Sequence, residues 1–173
     1  MSHVLLLDAF PSILGEGAHL LGAFRSGAER QGNHLTQFHL SYLKIKDCVR
    51  CAACSSPCVI HDEGNAVLHA IEENEVIVFA FPLSTYGFPA SIVALLDRLL
   101  SVPQEKRQHK KVLFFVVGNP TDAEPLKASC TLLCQKEDWD ELTFFVIPSL
   151  SQIGEERFLA QCETAFQCGL HLV

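Results

Sequence analysis

Five short apolar runs punctuate this chain, and amphipathic stretches of helical period separate them. His3–Asp8 (HVLLLD), Glu75–Ala80 and Lys111–Val117 are near-continuous runs of Val, Leu, Ile and Phe. That is the pattern of a parallel strand buried on both faces, and an antiparallel strand with one wet face would alternate instead. Thr36–Leu40 and Leu142–Ile147 give two further strands. Ala18–Gln31 carries Leu20, Leu21, Phe24 and Ala28 at helical spacing and stops at Gly32. Gly64–Glu73, Ala90–Leu100, Glu124–Lys136 and Glu155–Cys168 are the other expected helices, while Cys48–Cys58 has no period and is expected to be a loop. Strand–helix alternation without linker or repeat predicts right-handed crossovers and one α/β domain over residues 1–173, its parallel sheet covered on both faces. Ligands of such sheets sit beyond the carboxyl ends of the strands, where the strand order reverses. The loops Ala9–Gly17, Phe81–Pro89 and Gly118–Asp122 therefore define one candidate rim.

Composition bounds the partners. With 49% apolar and 19% charged residues among 173, the chain has enough apolar material for one full core. A net charge of −7 argues against a nucleic-acid partner, which needs a basic face. The one basic run, Lys106–Lys111, is a solvated loop or else a weak anchor for an anionic cofactor. Residues 1–7 lack the features of an export signal, and no apolar run reaches membrane-spanning length. A cytoplasmic protein with no membrane partner is expected, and its eight cysteines are then thiols, metal ligands or redox groups. The histidines form no ligand motif and are expected to be packed or solvated; neither a nucleophile elbow nor a Walker loop occurs. Trp139 either lines a pocket or covers the core.

Three segments carry a family likeness. The first is Ala9-Phe-Pro-Ser-Ile-Leu-Gly-Glu-Gly-Ala-His-Leu-Leu21. The second is Cys48-Val-Arg-Cys-Ala-Ala-Cys-Ser-Ser-Pro-Cys58, with His61-Asp62-Glu63 after it. The third is Phe81-Pro-Leu-Ser-Thr-Tyr-Gly-Phe-Pro-Ala90, running on to Leu95-Leu-Asp-Arg98. In order and spacing, residues 3 to about 118 resemble the NADPH-dependent FMN reductase and iron–sulfur flavoprotein families of the flavodoxin-like superfamily. The resemblance implies a doubly wound five-stranded parallel sheet of order 2-1-3-4-5. It also implies an NAD(P)H oxidoreductase or electron-transfer flavoprotein with FMN as cofactor and NAD(P)H as reductant, and a homodimer or higher homo-oligomer with a contact near Ala90–Leu100. FMN would lie across Pro11–Gly17, Pro82–Tyr86 and Gly118–Asn119. Its implied contacts are Phe10, Pro11, Ser12, Gly15, Glu16, Gly17, Pro82, Leu83, Ser84, Thr85, Tyr86, Gly118 and Asn119. The flavin would carry the redox step, so no catalytic side chain is assigned.

The phosphate loop departs from the family pattern Gly-Ser-Pro-Arg-x-x-Gly-Asn-Thr. Phe10 stands for its Ser, Ser12 for its Arg, Glu16 for its Asn and Gly17 for its Thr. A phosphate wants backbone N–H groups, hydroxyls and little negative charge. Glu16 in a first helical turn favours the helix dipole by roughly 0.3–1 kcal/mol. Against a phosphate about 6 Å away it would cost on the order of 3 kcal/mol at an effective dielectric near 20. Weak or absent FMN binding follows as an expectation. The alternative function is a binding or interaction protein that has kept the fold and lost the cofactor.

In the ring loop, Ser84 stands where the family has Tyr, with Tyr86 two residues later, so the loop offers hydroxyls and an aromatic face. Val93 replaces a Lys common among relatives, and Asp97 with Arg98 is expected to form a helix-terminal ion pair of structural role. Cys48-x2-Cys51-x2-Cys54-x3-Cys58 matches a ferredoxin-like run except that Val59 replaces Pro. A [4Fe-4S] cluster, a zinc ion, and a metal-free loop of disulfides or thiols all stay open. Arg50 and Lys46 favour thiolates there, whereas Cys130, Cys134, Cys162 and Cys168 are expected in the core.

Overall fold

The computed structural model describes residues 1–54, 57–85 and 87–172, with the main chain alone at 141 and 142. Five parallel strands form one sheet in the order β2-β1-β3-β4-β5: β1 His3–Asp8, β2 His34–His39, β3 Val76–Pro82, β4 Lys111–Val117 and β5 Asp140–Ile147. The helices are α1 Glu16–Arg30, α2 Gly64–Glu73, α3 Ala90–Arg98, α4 Gln104–Arg107, α5 Glu124–Glu137, α6 Leu150–Ile153 and α7 Glu155–Leu170. No described helix is long and apolar enough to cross a membrane.

The apolar runs become central strands because every side chain on them finds cover. Even-numbered residues Val4, Leu6, Val78 and Ala80 face Phe24 of α1 and Phe158 of α7. Odd-numbered Leu5, Leu7, Phe79 and Phe81 face Val67 of α2, Leu95 of α3 and Leu126 of α5. Trp139 covers this second core, and its indole N–H donates to the carbonyl of Arg107. On the first face α1 and α7 meet backbone to backbone. A Cβ on Gly27 would lie 2.1 Å from the Phe166 carbonyl oxygen, and one on Gly169 the same distance from that of Phe24. Only glycine permits that approach, which presses α7 onto α1 over the sheet.

The observed elements extend several expected ones. β2 starts at His34 and β5 at Asp140, each two residues early, and β3 runs on to Pro82. α1 begins at Glu16, where extended Gly15 (φ −86°, ψ −177°) starts the first turn without a side-chain cap. Its other end closes through Gly32 at φ +86°, whose N–H donates to the Glu29 carbonyl. The short helices α4 and α6 lie in segments with no legible period.

Candidate functional site

The carboxyl ends of β1, β3 and β4 lie side by side. The Ala9 N–H donates to the Ala80 carbonyl, Leu83 N–H to Val117, and Gly118 N–H to Ile147. These bonds join the three loops along one edge, the switch point where strand order reverses.

At the β1 end, Asp8 is buried and its carboxylate fixes the loop's first residues. Oδ1 accepts from the Phe10 N–H at 2.9 Å, and Oδ2 lies 2.8 Å from His39 Nδ1 and accepts from Gln37 at 3.4 Å. The one signal of this in the chain is a charged residue closing an apolar run. Phe10, so held, turns its ring inward to the α1–α7 core and is 6% exposed. The ring lies over Gly17: a side chain there would begin 2.3 Å from its atoms. Pro11 and Ser12 are exposed, and Ser12 Oγ accepts from the Leu14 N–H at 3.2 Å. Among the described residues the N–H groups of Gly15, Glu16 and Gly17 have no partner. They open at the positive end of α1, as an anion site requires. The Glu16 carboxylate accepts from the Leu150 N–H at 2.7 Å, joining α1 to the start of α6 across 134 residues of chain.

At the β3 and β4 ends a cleft of about 540 Å³ opens between Leu83, Ser84, Thr85, Gly118, Asn119 and Asp122. Its floor is tight, since a Cβ on Gly118 would meet Leu83 at 2.4 Å. Ser84 Oγ donates to the Gly87 carbonyl and shapes the turn, while Asn119 caps the next turn by accepting from the Thr121 N–H at 3.2 Å. Pro82 ends β3 against Val117. Tyr86 lies outside the described residues. A larger opening of about 650 Å³ lies beside α1, between Leu21, Phe38, Tyr42 and Asp8, and its lining includes Ile13 and Ala18 on either side of the free N–H groups. The 540 Å³ cleft lies at the carboxyl ends of β3 and β4, where ligands of such sheets sit.

The Cys48–Cys58 loop is clasped at its base. Arg98, fully buried, donates to both Asp62 oxygens at 2.8 Å, to the carbonyls of Lys46 and Ile60, and to Asn65 Oδ1. Asp62 also accepts from the Lys46 N–H at 2.7 Å and Glu63 from the Lys44 N–H at 2.6 Å. Arg98 thus pairs across the loop with Asp62, which corrects the expected Asp97–Arg98 pair: adjacent helical residues point apart. Burial raises the Asp62 pKa, but the Lys46 N–H, the Arg98 guanidinium and the Gly64 N–H outweigh it and hold the carboxyl below its ordinary value. Above the clasp, Arg50 (φ +49°) and Ala52 (φ +57°) turn the loop sharply and leave Cys51 and Cys54 exposed. The loop's sulfurs do not gather at one point. Among the described residues, the group of three metal-capable side chains with ligand atoms within 4.8 Å of one another is His69, Glu72 and Glu73.

The basic run lies at the opposite end of the sheet, before β4. Arg107 pairs with Glu137 at 2.9 Å, and buried Lys110 donates to the Asn74 carbonyl at 2.7 Å, beyond the end of α2. That placement removes it as a cofactor anchor. Cys130 and Cys134 are buried as expected, whereas Cys162 and Cys168 are only partly so.

Comparison with known proteins agrees with this geometry. The profile of NADPH-dependent FMN reductases matches residues 3–133. An iron–sulfur flavoprotein of Archaeoglobus fulgidus is 26% identical over 92 residues, 52% of this chain and 42% of that protein, so the match spans less than half of the relative's length. An NAD(P)H:quinone oxidoreductase of Methanothermobacter marburgensis shares the fold with a TM-score of 0.76 at 14% identity, over 99% of this chain and 96% of that one. So does an FMN-dependent NADH-azoreductase of Bacillus anthracis, solved with FMN, with a TM-score of 0.73 at 9% identity over 99% of each chain. This chain belongs to the NADPH-dependent FMN reductase family.

Proposed function

We propose that the chain is an FMN-dependent NAD(P)H oxidoreductase whose flavin lies across the joined loops of β1, β3 and β4. The observation that carries this is the pairing of three unpartnered N–H groups at the start of α1 with a cleft one strand away. Gly15, Glu16 and Gly17 would receive the phosphate through the backbone, with Ser12 offering its hydroxyl. Leu83, Ser84, Thr85, Gly118 and Asn119 would hold the ring between an apolar wall and hydrogen-bonding edges. Bound FMN supplies hydride acceptance from NAD(P)H and onward electron transfer. The chain's own residues fix the ring's place, limit water around it, and set the polarity of its edge. The alternative, a fold kept for binding alone, takes its support from the Phe10 ring over Gly17. FMN-dependent oxidation of NAD(P)H by the purified protein decides between the two: turnover supports the oxidoreductase, and its absence supports the alternative.

The Cys48, Cys51, Cys54 and Cys58 loop is the candidate site for a second redox group, supported by its ferredoxin-like spacing and by the name of the A. fulgidus relative. Iron and acid-labile sulfide on the order of four each per chain after anaerobic purification would support a [4Fe-4S] cluster there. Neither being found contradicts it. A homodimer is supported by exposed Val93 and Leu100 on and just after α3, with Leu100 beside Arg50 and Ala52 of the Cys loop. Sedimentation equilibrium tests that, and cytoplasmic residence fits eight cysteines kept reduced.

A further inference from the structure

We infer that this site discriminates little between FMN and riboflavin, because the Phe10 ring occupies the space from which a side chain at position 17 would grip the phosphate. The inference rests on the flavin reading and concerns the same site. A Cβ on Gly17 would lie 2.3 Å from Phe10 Cδ2 and Cγ, so no side chain can project there while the ring stays. Phe10 is anchored twice, by burial of its ring against the α1–α7 core and by its main-chain N–H, which donates to Asp8 Oδ1. No Lys or Arg occurs between Ala9 and Leu21. Arg25, further along α1, is held by Glu29 at 2.7 Å.

What remains for the phosphate is the backbone of Gly15–Gly17 and the hydroxyl of Ser12. Against these stands Glu16, whose carboxylate is tethered to the Leu150 N–H and so stays beside the first turn. A helix end carries about half a positive charge, and a full negative charge within a few ångströms offsets it. The phosphate then contributes little net affinity. The ring, common to both flavins, keeps the whole cleft at Leu83, Ser84, Thr85 and Asn119. Phe10 and Gly17 act here as one specificity unit: removing the ring without adding a donor, or adding a donor without removing the ring, restores nothing.

Parallel titrations of the purified protein with FMN and riboflavin, followed by quenching of flavin fluorescence, test this. The expected ratio of dissociation constants is below about tenfold. An FMN preference above that overturns the inference and leaves the oxidoreductase standing. Failure of both flavins to bind at millimolar concentration overturns both. Next, Phe10→Ala/Gly17→Thr is expected to raise the preference for FMN by about tenfold or more, the worth of one charge-assisted hydrogen bond. Gly17→Thr alone should gain nothing, and an equal gain from that single variant overturns the role given to Phe10. If the double variant does not fold, the wild-type ratio decides alone.

Discussion

Arg98→Met removes the clasp under the cysteine loop while nearly preserving side-chain length. Arg98 serves five acceptors: two oxygens of Asp62, the carbonyls of Lys46 and Ile60, and Asn65 Oδ1. The methionine satisfies none of them. Removing one partner of a buried ion pair costs about 3–5 kcal/mol. Asp62 keeps the Lys46 and Gly64 N–H groups at 2.7 and 3.0 Å, which places the expected loss near the lower figure, about 3 kcal/mol. For a domain of this size that is roughly 6–12 °C in Tm. Urea unfolding should show a lower midpoint at unchanged slope. Adding Asp62→Asn to Arg98→Met should recover part of the loss, since the stranded charge is then gone. Labelling of Cys48 and Cys58, both partly covered in the wild type, should accelerate as the loop's base opens. A loss below about 1 kcal/mol with unchanged labelling would refute the clasp, because surface pairs are worth no more than that.

Other substitutions reach other parts of the account. Gly169→Ala should destabilise by about 3 kcal/mol, at the upper end of overpacking, because its Cβ would meet the Phe24 carbonyl of α1 at 2.1 Å; a thermal melt within about 1 °C of wild type contradicts this. Glu16→Gln should tighten FMN by up to about a hundredfold, the worth of about 3 kcal/mol between charges about 6 Å apart, and leave riboflavin unchanged, measured by fluorescence titration. Burial pushes the Cys168 thiol up to about 11, so iodoacetamide at pH 8 should label exposed Cys51 and Cys54 first and reach Cys168 only in stronger alkali, as peptide mapping would show. The Asp62 carboxyl is held below its unfolded value, so its stabilisation is complete above about pH 4 and fades as pH falls through the lower folded pKa. Asp62→Asn should flatten that part of the acid unfolding profile.

The sheet was legible because the interiors of its central strands are continuously apolar, the pattern of a parallel strand covered on both faces. The edges were less legible. β2 mixes half-exposed residues with polar ones, and its start at His34 carries no apolar signal. α4 and α6 are four residues each, too short for a period. The rim followed from topology, since each loop leaves the carboxyl end of a strand. The contacts that tune it did not. Glu16 meets Leu150 across 134 residues. The fit of Phe10 to Gly17 depends on a ring rotamer that composition does not reveal. The Arg98 partner was not legible either, because adjacent helical residues point apart and Asp62 lies 36 residues away in the chain.

The central claim is that the joined loops hold a flavin that takes electrons from NAD(P)H. Its most direct measurement is anaerobic reduction of the protein–FMN complex by NAD(P)H, with flavin absorbance followed in the visible range. Stoichiometric NAD(P)H should bleach that absorbance faster than it bleaches free FMN. Bleaching no faster than that of FMN alone would contradict it.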